Sequence, residues 1–236
     1  MSALRSRADA AAQVLVDGLD DPQLGDADSH HLGRVLRLRD GEQVVAFDGS
    51  GGWRLCTYRG SVLESASDVV HEPAEPDPVR VYLPALKQDR AEWAVTKLTE
   101  LGVDEIGLVT CDRSAVRANA EARGRILARW SRVAREAACQ SRRVRLPVIL
   151  DATDVAGAMA AGATMCELDG DDLGDTVRTV VVGPEGGWSD AELALGAPGV
   201  SLGETVLRAE TAAVAGGVLL AAARRAARHA GGSEAQ

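Results

Sequence analysis

The stretch VVVGPEGGWSDAE, residues 180–192, decides the fold of this chain. Its first part, 180–182, is a short β-branched run of the kind found in buried strands, and it stops at a glycine loop, 183–187. Ser189 and Glu192 then form an S-x-x-E capping box, which predicts a helix directly after the loop. A strand, a glycine loop and a helix N-terminus together present free backbone N–H groups around a hollow. We therefore expect a ligand to bind here.

A second loop follows a short apolar segment, 200–202, which reads as another strand. Residues 204–213, ETVLRAETAA, then open an Ala-rich helix that is predicted over 208–229. The two loops are expected side by side at the carboxyl ends of neighbouring strands, where open α/β sheets bind their ligands. This edge of the sheet is the predicted active site.

Composition indicates a cytoplasmic protein with an Ala, Val and Leu core. Of the 236 residues, 46% are apolar but only 3% are aromatic, and the chain is long enough for one large domain or two smaller ones. The four cysteines form no C-x-x-C pair, which argues against zinc and against a disulfide framework. No signal peptide and no apolar run of about 18 residues is present, so we expect no membrane contact.

Charge is unevenly distributed along the chain. The net charge of −9 argues against a nonspecific nucleic-acid binder. Residues 121–145, however, carry eight arginines against two glutamates, a local balance of +6, while 146–212 carry two arginines against twelve acids, a local balance of −10. A basic strip on an acidic protein is either a nucleic-acid contact or an ordinary solvated helix face, and charge alone does not decide between them.

Residues 1–72 are predicted to form a small, mostly β domain. A short polar helix is expected over 7–16, and a second helical pattern follows near 28–38. Strands are expected at 43–47, 53–58 and 61–70, with DGSGG as the turn between the first two. Three prolines within 73–78 mark a linker.

The pattern changes to alternating strands and helices from 79 to 236, which predicts a parallel α/β sheet. The predicted strands are 80–86, 105–110, 146–150, 164–167, 178–182 and 200–202. Helices are expected from a cap at Asp89 to Gly102, over 120–139 and near 155–160. On the second of these helices the arginines lie on the face next to the apolar one.

Several familiar sites are excluded or weakened by the motifs themselves. The loop GPEGG is neither a P-loop nor a dinucleotide fingerprint, and the lysine and acidic partners of those sites are absent. It does offer backbone groups to a flat, neutral ring such as adenine. His30 and His31 have no partner ligands at a helpful spacing, so no metal is expected. Arg208 and Glu210 at a helix start are either site residues or a simple ion pair.

Five blocks together resemble one family, the 16S rRNA (uracil-N3)-methyltransferases, RsmE, of the SPOUT superfamily. The resemblance covers nearly the whole chain, and the last two blocks together are specific. The matching blocks are HLGRVLR with FDG at 31–49, KxDRxEWxxxKxxELGV at 87–103, REAAxQSxR at 135–143, GPEGGWS at 183–189 and LGETVLRAETA at 202–212.

This resemblance implies a fold, a cofactor and an assembly. The fold class is α/β, a parallel-sheet SPOUT domain at 79–236 with a deep C-terminal trefoil knot, an exception to the rule against knotted chains. A small PUA-like β-barrel that binds RNA would precede it at 1–72, with 73–78 as the linker. The knotted segments would bind S-adenosyl-L-methionine (SAM), and the enzyme would be a homodimer. The implied cofactor-binding residues are Val182, Gly183, Pro184, Glu185, Gly186, Gly187, Leu202, Gly203, Val206, Leu207, Arg208 and Thr211.

The implied activity is methylation of uridine N3 in 16S rRNA of the small ribosomal subunit. The imide proton must leave before or during transfer, so a base or an anion-stabilising cation should be near. Arg208 is the candidate cation, and Glu185 and Glu210 are the candidate proton acceptors. Contacts with rRNA phosphates would come from His31, Arg34, Arg37, Arg125, Arg129, Arg132, Arg142 and Arg143.

Two other functions remain open at this point. One is a SPOUT methyltransferase that acts on another RNA, and the other is a non-catalytic RNA-binding or ribosome-assembly protein. SAM binding separates the second from the enzyme. A nucleotide-binding oxidoreductase is weakened by the missing dinucleotide fingerprint.

Overall fold

The computed structural model describes residues 7–116, 118–195 and 199–233. The chain packs as two compact units: the first comprises Met1–Glu75 and Arg135–Leu146, and the second comprises Pro76–Ala134 and Pro147–Gln236. No helix in the described ranges combines the length and the apolar character needed to cross a bilayer.

The first unit is built on a five-stranded sheet. Its strands are β1 (Ala12–Leu15), β2 (Gln43–Phe47), β3 (Gly52–Arg59), β4 (Val62–Ser65) and β5 (Val70–His71). They lie in the order β1-β2-β3-β4, with β5 pairing against β3. The contact of β1 with β2 is parallel, and β3 is antiparallel to β2, β4 and β5. The helical pattern near 28–38 is confirmed as helix α1 (Asp26–His30), continued by a π-helical turn (His31–Val35).

The helix predicted over 7–16 is wrong for most of its length, because Ala12–Leu15 is a strand. Ala12, Val14 and Val16 are all buried, at 4%, 3% and 5% exposure, and they alternate along the chain with a period of two. This alternation is the strand pattern, and pairing with β2 satisfies its backbone groups. The predicted strand 61–70 is in fact the two short strands β4 and β5.

The DGSGG turn is confirmed between β2 and β3. The carboxylate of Asp48 accepts hydrogen bonds from the backbone N–H of Ser50 at 2.7 Å and of Gly52 at 2.9 Å. These bonds outweigh the effect of burial, which alone would raise the pKa, and the pKa of Asp48 falls below its ordinary value.

Residues 135–146 pack with the first unit because their small and apolar side chains complete its second core. Ala138 and Val144 are buried with Phe47 and Trp53. The side-chain amide of Gln13 donates to the carbonyls of Ala138, at 3.2 Å, and of residue 143, at 2.8 Å. The predicted domain limits, 1–72 and 79–236, remain a prediction, and the packing units differ from them chiefly in this segment.

The second unit contains a five-stranded sheet whose neighbouring strands are all parallel, as predicted. Its strands are β6 (Arg80–Pro84), β7 (Glu105–Thr110), β8 (Val148–Asp154), β9 (Thr164–Asp171) and β10 (Thr179–Val181), in the order β8-β7-β6-β10-β9. β6 is therefore central, and the strand order reverses between β6 and β10. Open α/β sheets bind ligands at such a switch point.

The helices of this part of the chain are α2 (Gln88–Glu100), α3 (Ala120–Ser141), α4 (Val155–Ala160), α5 (Asp190–Leu193) and α6 (Ala209–Ser233). The Asp89 cap is wrong: Lys87 is the N-cap, and Asp89 lies in the first turn. The end at Gly102 is confirmed, since its φ of 83° and its N–H bond to the Thr99 carbonyl, 3.1 Å, close the helix.

The predicted strand 200–202 is wrong, because Val200 makes only isolated bridges, to Cys166 and Asp171 of β9. Here residues 199–201 cross close beside β9. A Cβ on Gly170 would lie 2.6 Å from the carbonyl carbon of Gly199, and a Cβ on Gly199 would lie 2.8 Å from the Glu167 carboxylate. Gly170 therefore needs to be glycine, since a backbone cannot move aside, whereas a Cβ on residue 199 would meet only the side chain of Glu167.

Candidate active site

A cleft lies at the carboxyl end of β10, where the predicted site was placed. Its volume of about 390 Å³ is within the range of small-molecule sites, about 300–1,000 Å³. One wall is the glycine loop after β10, and the opposite wall is the segment leading into α6. The predicted cofactor residues that line it are Val182, Gly183, Pro184, Glu185, Gly187, Leu202, Gly203, Val206 and Leu207.

Three predicted cofactor residues lie outside this lining. Gly186 packs against the loop after β7, where a Cβ would meet the carbonyl oxygen of Arg113 at 2.9 Å. Arg208 is exposed directly before α6, and its carbonyl accepts the N–H of Ala212 at 2.8 Å. Thr211 is exposed in the first turn of the same helix. Their roles toward a cofactor remain predictions.

The third wall of the cleft was not predicted. It comes from β9, which runs on to Asp171 instead of ending at residue 167, and it brings Cys166, Glu167, Leu168 and Asp169 to the lining. The predicted strand ends at residue 167, before the acidic residues Asp169 and Asp171, which the structure includes in β9. Two carboxylates on this wall can accept hydrogen bonds from hydroxyl groups of a ligand.

Trp188 closes the base of the cleft. Its indole N–H donates to the carbonyl of Cys166 at 3.1 Å, which ties the end of the glycine loop to β9. Gly183 lies beneath the ring, where a Cβ would stand 3.0 Å from Cε2 of Trp188. A side chain at residue 183 would therefore crowd the indole.

The capping box is confirmed, and it anchors the loop to its neighbour. Ser189 and Glu192 make both reciprocal hydrogen bonds at the start of α5, although this helix is only four residues long. The Glu192 carboxylate also accepts the backbone N–H of Asp112 at 2.9 Å, and the Ser189 hydroxyl lies 2.6 Å from the Asp112 carboxylate. The Arg113 guanidinium donates to the Trp188 carbonyl at 2.7 Å. The glycine loop is therefore held by the loop after β7.

The two candidate carboxylates are joined through a residue that was not predicted, Arg90. Its guanidinium forms an ion pair with Glu185, and its Nε lies 3.6 Å from the carboxylate of Glu210. Arg90 lies in the first turn of α2, at the carboxyl end of the central strand. It stands inside the matching block at 87–103, but nothing local marks it as a partner of residues about a hundred positions away.

The thiol in the cleft lining, Cys166, is unreactive at neutral pH. Burial, and next to it the negative charge of Glu167, raise the pKa of Cys166 to about 12. A thiol of that kind is neither a nucleophile nor a ready metal ligand at neutral pH. No group of three metal-binding side chains was found in the described ranges.

The predicted RNA-contacting arginines of α3 line a separate groove in the second unit. The groove, about 610 Å³, runs between α2 and α3 over a floor that includes Trp130. Its basic residues are Arg125, Arg129 and Arg132. Arg125 is exposed and pairs with Glu121 of the same helix, and Arg129 pairs with Glu92.

The other predicted RNA contacts lie in the first unit. His31, Arg34 and Arg37 are all exposed on the π-helical turn and just after it. Arg142 is engaged internally, since its guanidinium donates to the Ala10 carbonyl at 2.6 Å. Residue Arg143 is partly buried and supplies the carbonyl that Gln13 contacts.

Two family models match this chain. The model described as an RNA methyltransferase domain matches residues 73–221, and the one described as an RNA methyltransferase PUA domain matches 24–61. Two similar proteins carry the name ribosomal RNA small subunit methyltransferase E. That of Mycobacterium bovis is 32% identical over 229 residues, 87% of this chain and 84% of the relative. That of Synechocystis is 32% identical over 213 residues, 79% of this chain and 68% of the relative.

Solved structures agree with the sequence relatives. A methyltransferase from Legionella pneumophila with bound SAM has a TM-score of 0.76 at 25% identity, covering 89% of this chain and 97% of that one. A ribosomal RNA small subunit methyltransferase E from Neisseria gonorrhoeae, bound to SAM, has a TM-score of 0.72 at 27% identity, covering 88% and 95%. The predicted α/β fold with a preceding PUA-like domain is confirmed.

Proposed function

We propose that this chain, which belongs to the RsmE family of RNA methyltransferases, methylates N3 of one uridine in 16S rRNA of the small ribosomal subunit. It is a SAM-dependent rRNA methyltransferase. The proposal extends this to the acceptor atom, the site residues, the RNA surface and the dimer. The observation that supports it most directly is the cleft at the sheet's switch point, which has Glu185 in its wall and Arg90 and Glu210 beside it.

The lining of the cleft fits SAM. Leu202, Val206 and Leu207 offer an apolar wall to the adenine ring, and the glycine loop offers backbone groups to its edge. Glu167 and Asp169 are placed on the third wall, where carboxylates can accept hydrogen bonds from ribose hydroxyls. SAM supplies a methyl group already activated on a sulfonium, so the chain mainly has to position the acceptor.

In the proposed reaction the chain moves one proton and stabilises one anion. The N3–H proton passes to a carboxylate, the N3 electron pair forms the bond to the methyl carbon, and the carbon–sulfur bond breaks to leave the neutral thioether. Glu185 and Glu210 are the candidate acceptors. Arg208, exposed directly before α6, is the candidate cation for the negative charge that develops on the uracil ring.

The proposed RNA surface comprises the α3 groove and the basic turn of the first unit. Arg125, Arg129 and Arg132 would meet phosphates along the groove, and His31, Arg34 and Arg37 would do so in the PUA-like domain. Affinity should then fall by about 0.7–0.9 log unit per phosphate contact for each tenfold rise in salt. Arg142 is a weak candidate, because its guanidinium already donates a hydrogen bond to the Ala10 carbonyl.

We also propose a cytoplasmic homodimer, as the family resemblance implies. Exposed apolar side chains on α2 and α6 support an interface there: Trp93 is 45% exposed, Val218 44% and Leu219 37%. Light scattering on the purified protein tests this, and a monomer at micromolar concentration would refute it.

The function is tested by transfer of labelled methyl groups from SAM to 30S subunits that lack their native modification, followed by nucleoside analysis. We expect 3-methyluridine in 16S rRNA. For Arg208→Ala we expect a fall in kcat of about 100-fold or more, as for other lost transition-state contacts. Full activity in this variant would remove Arg208 from the mechanism, and label on another nucleoside would overturn the uridine assignment.

A further inference from the structure

Arg90 connects the two sides of the cofactor cleft. Its guanidinium contacts Glu185 in the glycine loop, and its Nε lies 3.6 Å from Glu210 in the first turn of α6. The Arg90 side chain is 29% exposed, so this contact is partly shielded from solvent. Charge pairs in such a place are held more firmly than those on an open surface.

The two carboxylates differ in their access to a substrate. Glu185 lines the cleft and its side chain is 52% exposed. Glu210 is 8% exposed as a residue, and its second oxygen, Oε2, is buried without a hydrogen-bond partner in the described part of the chain. An incoming uracil ring can reach Glu185, whereas the oxygens of Glu210 face the protein and Arg90.

A buried carboxylate with one unpaired oxygen needs a neighbouring cation to stay charged without a large penalty. Arg90 is that cation. The same guanidinium also contacts Glu185. Glu210 therefore holds Arg90 in place, and Arg90 in turn holds Glu185 at the cleft. The three side chains form one chain of charge contacts from α6 to the glycine loop.

From this geometry we infer that Arg90 is a positioning residue for methyl transfer: held by Glu210, it keeps Glu185 in place, and Glu185 is the carboxylate that receives the N3 proton. This inference rests on the proposed function and chooses between its two candidate acceptors. The bonds formed and broken are those given above, and the proton ends on Glu185.

The test compares variants for total label transferred, SAM affinity and melting temperature. We expect Glu185→Gln to lower kcat by about 100-fold or more and Arg90→Gln by about 10- to 100-fold, the latter with the Kd for SAM within about threefold because Arg90 lies outside the cleft lining. Arg90→Lys should recover most of the loss, to within about fivefold of wild type, because an ammonium can still pair with Glu185. Arg225→Gln, an exposed arginine further along α6, is the matched control.

The double variant Arg90→Gln/Glu210→Gln separates positioning from simple stability. It removes the buried charge together with its partner, so the melting temperature lost in Arg90→Gln should return while kcat stays low. If activity returned with stability, or if Glu210→Gln lowered kcat more than Glu185→Gln did, the inference would be wrong. Total label does not depend on which nucleoside is methylated, so a failed uridine assignment is read separately from nucleoside analysis.

Discussion

One buried carboxylate, that of Glu192, contacts both the loop after β7 and the segment that follows the glycine loop, and removing it tests how the cleft is built. Glu192 is 6% exposed. Its two oxygens accept the backbone N–H of Asp112 at 2.9 Å and of Ser189 at 2.7 Å. In Glu192→Ala both N–H groups lose their partner.

The magnitude follows from these two bonds. A hydrogen bond to a charged group contributes about 1.5–3 kcal/mol, so the loss of two, partly offset by water, should cost about 3 kcal/mol of local stability. Opening of the two segments would then be about 150-fold more frequent. Glu192→Gln keeps one carbonyl oxygen and should lose about half as much free energy.

Hydrogen exchange with mass spectrometry measures this directly at residues 111–114 and 187–193. Asp190→Ala is the matched control, because Asp190 lies in the first turn of the same helix as Glu192 but its side chain is 99% exposed. Its carboxylate lies 3.5 Å from the Arg113 guanidinium. It should change the local free energy by about 0.5 kcal/mol or less. The reasoning is refuted if Glu192→Ala accelerates exchange in neither segment by more than about threefold, or if Asp190→Ala has an equal effect.

Three further predictions concern the cleft base, the thiols and the hairpin turn. Trp188→Phe loses the indole bond to the Cys166 carbonyl, so the free energy of unfolding, measured with urea, should fall by about 1 kcal/mol; an unchanged value would mean that this bond does not stabilise the fold. Burial raises the pKa of Cys111 and Cys166 to about 12, so both thiols should resist thiol reagents at pH 8 until the chain unfolds. Thiols of the unfolded chain ionise near pH 9. These two groups should therefore make the fold less stable as the pH rises from about 9 toward 12. Because the pKa of Asp48 is lowered in the folded chain, its contribution to folding stability is present above about pH 4 and is lost as the pH falls through the pKa of the folded state. Asp48→Ala should therefore reduce the free energy of unfolding, measured with urea, by about 1–2 kcal/mol at pH 7 and by less at pH 2.

Local patterns in the sequence were sufficient to predict the parallel sheet and the place of the cleft. The run 180–182, the glycines after it and the S-x-x-E box each depend on neighbours within a few residues, and the structure confirms the order of strand, loop and capped helix. These patterns did not predict the length of the helix. The S-x-x-E box predicts where the helix begins, and the helix then stops after four residues.

Edge elements were predicted poorly for a related reason. β9 carries charged residues up to Asp171, and the segment around Val200 is apolar, so pattern alone made the first too short and the second a strand. The contact between them depends on Gly170, which allows the backbone of residues 199 and 200 to approach β9. This contact joins residues about thirty positions apart, so a sequence pattern that covers only a few residues cannot predict it.

Long-range charge contacts were missed altogether, and they change how the basic strip should be understood. The charge count describes 121–145 as one basic strip, but the structure divides this segment between two units and gives several of its arginines a carboxylate or carbonyl partner. Pairing does not by itself remove an arginine from RNA binding. The Arg125–Glu121 pair is 66% and 80% exposed, and such a pair contributes only about 0–1 kcal/mol, so a phosphate can displace the glutamate. Arg142 differs, because burial lowers the pKa of its guanidinium and its hydrogen bond to Ala10 fastens the first unit, so RNA would have to break structure to use it.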